Sequence, residues 1–115
     1  MTSVFIWNAR GLGGKAKCAF VVAECRRNKS LMVVILEPKQ NICRMGFFSR
    51  KLEFGHFIHG HPGNNNIWIF WKNSLMVELI QVHEKCITVK LGFRGSYILF
   101  SFVYASCDVS IRREL

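Results

Sequence analysis

The stretch Val4-Phe5-Ile6-Trp7-Asn8-Ala9-Arg10-Gly11-Leu12-Gly13-Gly14 decides how the rest of the chain is read. Apolar, β-prone residues at 4 to 7 suit a buried strand, and the glycines that follow permit tight turns with positive φ. The strand therefore ends on a polar amide, Asn8, at the carboxyl edge of a sheet, where α/β folds place their chemistry. A second apolar run, Leu31-Met32-Val33-Val34-Ile35-Leu36, ends the same way in Glu37-Pro38-Lys39. Between them, residues 15 to 27 carry Ala16, Ala19, Phe20 and Ala23 at helical spacing, with Val21 and Val22 widening the apolar face. Strand, helix and strand make a βαβ unit with parallel strands. Asn8 and Glu37 are its two candidate site residues.

Beyond this unit the pattern turns to β. Residues 38 to 48 are expected to be a loop with basic insertions, and residues 51 to 58 a strand. Turn residues fill 60 to 66, and Ile67-Trp68-Ile69-Phe70-Trp71 is a strong strand. Residues 76 to 82, 86 to 92 and 97 to 104 fit three more, separated by polar or Gly-containing turns. Asp108 can cap a short C-terminal helix. The expected class is α/β, a βαβ unit followed by consecutive, mostly antiparallel strands, in a single domain over residues 1–115. Because the last helix stops after about two turns, a chain cut short is expected.

Composition narrows the function. The 115 residues are 50% hydrophobic and include ten Phe, which excludes a disordered chain. No apolar run is long enough to cross a bilayer, and no secretory leader is recognisable, so an intracellular, non-secreted, non-membrane protein is expected. Five cysteines without a CxxC pair point to reduced, mostly buried thiols. A net charge of +9 favours a polyanionic partner such as nucleic acid, or marks a soluble basic surface. The acids are scarcer: six Glu and one Asp, Asp108. A complete two-metal site, which clusters several carboxylates, is hard to build from them.

Other signals have plain explanations. Asn8 before a Gly-rich stretch is ordinary turn chemistry, Glu37 before Pro38 suits a surface carboxylate, and Tyr104 suits packing at a strand end. His56, His59 and His61 could bind metal but lack a completing Cys or carboxylate, so a solvated loop is the simpler reading. Trp7, Trp68 and Trp71 could stack on bases, but their place inside apolar strands argues for core packing.

Taken together, Trp7-Asn8-x-Arg10-Gly11-Leu12-Gly13, Leu36-Glu37-Pro38-Lys39, Ile67-Trp68-Ile69-Phe70-Trp71-Lys72, Phe102-Val103-Tyr104-Ala105-Ser106 and Arg112-Arg113-Glu114-Leu115 resemble landmarks of one superfamily. It is the endonuclease/exonuclease/phosphatase, or DNase I-like, superfamily, and the resemblance is nearest to the endonuclease domains of plant LINE-type (non-LTR) retrotransposons. The resemblance implies the N-terminal half of a four-layer α/β/β/α sandwich and Mg²⁺- or Mn²⁺-dependent hydrolysis of DNA phosphodiesters. It assigns Asn8 to hydrogen bonding near metal and phosphate, Glu37 to Mg²⁺ ligation, and Tyr104 to the scissile phosphate. Arg10, Lys39 and Arg112 would contact the nucleic-acid backbone.

The family's Asp-x-Asn and Ser-Asp-His segments have no counterpart here, and Asn65-Asn66 stands where the family has Gly-Gly. The resemblance therefore implies a nuclease remnant that lacks its Asp/His half and is inactive alone, in an intracellular or nuclear setting. A non-catalytic basic module that binds nucleic acid, or a decayed fragment without a selected role, is the alternative. Half of a two-sheet sandwich would also expose an apolar sheet face, predicting self-association or a second chain that covers it.

Overall fold

A computed structural model describes residues 3–60 and 66–104. The element order is β1 (Ser3–Asn8), α1 (Lys15–Asn28), β2 (Ser30–Leu36), a 3-10 turn (Ile42–Arg44), α2 (Met45–Leu52), β3 (His56–His59), β4 (Ile67–Trp71), β5 (Met76–His83), β6 (Cys86–Phe93) and β7 (Ser96–Val103). The strands form two sheets. One has the order β1-β2-β4-β3, and the other is the meander β5-β6-β7.

β1 and β2 pair in parallel, as a βαβ unit requires, with Asn8 opposite Leu36 at the carboxyl end. α1 makes the crossover. Cys18, Val21 and Cys25 bury one stripe of it, and Lys29 in the left-handed conformation ends it (φ 52), its N–H returning to Arg26 O. β4 then lies antiparallel to β2, with Val33 opposite Phe70 and Ile35 opposite Trp68.

Alternation along these strands divides the apolar side chains between two cores. Val33, Ile35, Trp68 and Phe70 face the helices and meet Cys18, Val21, Met45, Phe48 and Leu52. Met32, Val34, Ile67 and Ile69 face the meander and meet Ile87, Val89, Leu91 and Phe102. The layers run helices, four-stranded sheet, three-stranded sheet. Because β2 and β4 are covered on both faces, they are continuous apolar runs.

Three expectations need correction. Residues 45–52 are helical, where a loop and the start of a strand were expected, and β3 begins only at His56. Met45, Phe48, Ser49 and Leu52 are the buried positions, a helical spacing that basic residues at 44, 50 and 51 interrupt visually but not physically. Nor are His56 and His59 in a solvated loop. They lie on edge strand β3, where His56 stacks on Trp71 and donates from Nε2 to Asn73 Oδ1 at 2.6 Å. The inner sheet face is also not bare, since the two sheets cover one another; exposed apolar area lies instead on the meander, at Met76, Leu79, Tyr97, Ile98, Leu99 and Val103. Trp68 is fully buried, while Trp7 and Trp71 are half-buried beside the two cores.

Among the described cysteines, Cys18, Cys25, Cys43 and Cys86 are free thiols, the first two buried and Cys43 exposed. No described helix is long and apolar enough to cross a membrane. His61, Asn65, Ser106, Cys107, the helix expected from Asp108 and Arg112 lie outside the described residues.

Candidate functional site

The carboxyl ends of β1 and β2 continue into two loops that are zipped together by backbone. Ala9 N–H donates to Leu36 O (2.9 Å), Gly11 N–H to Glu37 O (2.7 Å) and Leu12 N–H to Pro38 O (2.7 Å). Glu37 N–H in turn donates to Asn66 O at 2.9 Å, so the residue is held from β1 and from the β4 approach alike. Three non-glycine residues here, Arg10, Glu37 and Lys39, adopt positive φ values of 48, 53 and 50°. Each costs about 1 kcal/mol relative to ordinary backbone, a strain that persists only where the surroundings hold it and that clusters at functional sites. Gly11 at φ 100° occupies a conformation that side chains disfavour.

Asn8 is exposed at the end of β1, and its Oδ1 accepts the Arg10 N–H at 3.2 Å. This is the Asx turn that its sequence context suggested. The Asn8 side chain thus shapes the loop and stands beside Leu36 and Glu37 at the sheet edge.

Tyr104, just past β7 on the other sheet, packs at the margin of the core between the sheets. Its backbone N–H donates to Lys85 O at 2.8 Å. Its hydroxyl donates to Glu37 Oε1 at 2.6 Å. The structure therefore brings Asn8, Glu37 and Tyr104 to one edge of the sandwich, and places Arg10 and Lys39 in the two loops beside them. Both cations are exposed and have no side-chain partner among the described residues.

This architecture has a known counterpart. The fold is that of the endonuclease domain of TRAS1, a telomere-specific non-LTR retrotransposon. The match has a TM-score of 0.66 at 16% identity, and covers 96% of this chain and 49% of that one. The present chain thus spans about half the length of that domain. No protein-family model matches the sequence, and no curated protein matches it. The shared architecture comprises both sheets with helices against one of them, a fragment of the endonuclease-domain fold.

At this edge the Glu37 carboxylate accepts the Tyr104 hydroxyl, and the Asn8 amide oxygen accepts the Arg10 N–H. Magnesium is commonly held by one or two carboxylates, with water and phosphate completing its shell. Among the described residues no three His, Cys, Asp or Glu side chains converge. Glu37 offers one carboxylate toward such a set, and the described residues do not complete it.

Sequence reasoning missed Lys17. From the first turn of α1 its ammonium reaches back to Ala9 O (2.9 Å), Gly11 O (2.7 Å) and Arg10 O (3.4 Å). It gathers carbonyls that the positive-φ turn leaves without strand partners. Nothing in sequence separates Lys17 from the other dispersed cations.

Proposed function

We propose that this chain carries part of a Mg²⁺-dependent DNA phosphodiesterase and does not cleave DNA by itself. The bond from Tyr104 to Glu37 carries this reading, because it joins two strand ends from different sheets into one polar edge. Asn8 completes that edge, and Arg10 and Lys39, exposed and positive, would contact a phosphate backbone without reading sequence. Arg112 would add a further contact from outside the described residues. Glu37 would hold Mg²⁺ or Mn²⁺, and the ion when bound supplies Lewis acidity for phosphodiester cleavage. Tyr104 would present its hydroxyl to the phosphate once Glu37 turns to the metal.

Hydrolysis also needs a group that takes a proton from water. The described edge offers no His or Asp for that task. An intracellular, nuclear setting and an origin in a LINE-type element, plant or otherwise, go with this reading. Titration calorimetry with Mn²⁺ tests it: saturable binding that Glu37→Ala abolishes is expected, and absence of heat in the wild-type chain overturns it. Metal-dependent nicking of plasmid DNA by the pure chain, lost in Glu37→Ala, would overturn the lack of activity instead.

The net charge of +9 favours a second reading, a non-catalytic module that binds nucleic acid through its surface. Affinity for any duplex would then fall steeply with salt, with or without Glu37. No binding at low salt would exclude it.

A further inference from the structure

A wide hollow lies away from that edge, on the helical side of the four-stranded sheet. It is a trough of about 670 Å³ between α1 and the segment from Gln40 through α2. On the α1 wall the lining residues include 15, 19, 22, 23 and 26, and on the facing wall 40, 44, 47, 48 and 51. Both walls repeat at three and four residues over twelve positions, so the eleven steps along α1 give the trough a length of roughly 16 Å at about 1.5 Å per residue.

Its floor is apolar, with Cys18 and Phe48 buried and Val22 half-buried. Its rims are positive on both sides. Lys15 stands on one, Arg44 and Lys51 on the other, and Glu53 is the only acid in the lining. Glu53 is already paired with Arg26. Lys15 and Lys51 have no carboxylate partner among the described residues, and Arg44 reaches only Gln40 Oε1, at 3.2 Å. The Arg44 guanidinium and Lys51 ammonium lie 4.8 and 5.7 Å from the ring centre of the exposed Phe47, beside the hollow.

We propose that this trough receives an acidic amphipathic α-helix of another protein. The helix would lay its apolar stripe over Val22 and Phe48 and set its carboxylates against Lys15, Arg44 and Lys51. Charge distribution selects this occupant over a small anion. A single acidic head is satisfied at one spot, whereas unpaired cations on both rims match acids flanking an apolar stripe on both sides. This inference stands apart from the endonuclease reading, because no residue of the Asn8, Glu37 and Tyr104 edge lines the trough.

The probe is a fluorescein-labelled synthetic helix of about 14 residues, with leucines at three- and four-residue spacing and glutamates on both flanks. Fluorescence anisotropy should show saturable, salt-sensitive binding to the wild-type chain. The double variant Arg44→Glu, Lys51→Glu should weaken it at least about tenfold, as reversed rim charges demand. Both side chains are exposed, so circular dichroism should show that variant folded. Ala19→Trp, which fills the trough without changing charge, should weaken binding similarly. Equal affinity for the double variant, equal affinity for a scrambled peptide of the same composition, or no saturable binding would overturn the proposal. Saturable binding of laurate with none of the peptide would overturn it too, giving the trough to a small amphiphilic anion.

Discussion

The Tyr104 hydroxyl donates to Glu37 Oε1 across 2.6 Å, joining residues 67 positions apart in the chain and on different sheets. The bond is partly buried and charge-assisted, which places it among the stronger kinds of side-chain hydrogen bond. It also closes the edge of the core between the sheets, against which the Tyr104 ring packs.

Tyr104→Phe should therefore destabilise the chain by about 1.5 kcal/mol, as expected for a hydrogen bond to a charged group. In urea melts, Glu37→Gln combined with Tyr104→Phe should cost less than the sum of the single changes. Strict additivity would show that the two side chains are not coupled in solution.

Lys17 supports the loop that carries Asn8 and Arg10. Lys17→Met keeps most of the stem but removes the donor to three carbonyls, so a loss of about 1 to 2 kcal/mol is expected. The Gly11 and Leu12 amides, bonded to Glu37 O and Pro38 O, should exchange faster in hydrogen-exchange mass spectrometry. Lys17→Arg should restore part of the protection. Unchanged exchange in Lys17→Met would mean that the backbone zipper holds the loop unaided.

Burial pushes the Cys25 thiol up from 9.0 to about 11, against smaller opposing effects of Lys72 and a hydrogen bond with Ser30. A group with a raised folded-state pKa contributes stability that is complete below its unfolded value and is lost as pH rises toward the folded one. Melting temperature should thus fall between about pH 9 and pH 11, and fall less in Cys25→Ala. Burial raises Cys18 as well. Iodoacetamide at neutral pH should consequently modify the exposed Cys43 before Cys18 or Cys25, as read by peptide mapping.

The meander leaves Met76, Tyr97, Leu99 and Val103 exposed, at 69, 62, 66 and 53%. Register places all four on its outer face. Such a face on strands of high β-propensity favours association. Sedimentation velocity should show concentration-dependent self-association, reduced by Leu99→Lys without loss of the melting transition. A monomer at all concentrations would contradict it.

The sequence by itself determined the βαβ unit, the position of six of the seven strands to within a residue or two, and the polar residues that end β1 and β2. Those features are local: apolar runs, glycine turns and helical spacing act within a few residues. α2 was legible in principle, through Met45, Phe48, Ser49 and Leu52, but short helices carry a weak pattern once cations interrupt it. Only the tertiary structure decided what meets what. The pairing of β4 with β2, the covering of one sheet by the other and the bond from Tyr104 to Glu37 all join residues far apart in the chain. So does the reach of the Lys17 ammonium, which depends on the angle at which α1 leaves the glycine turn. Such contacts depend on how two packed layers are stacked, and no periodicity along the chain records that stacking.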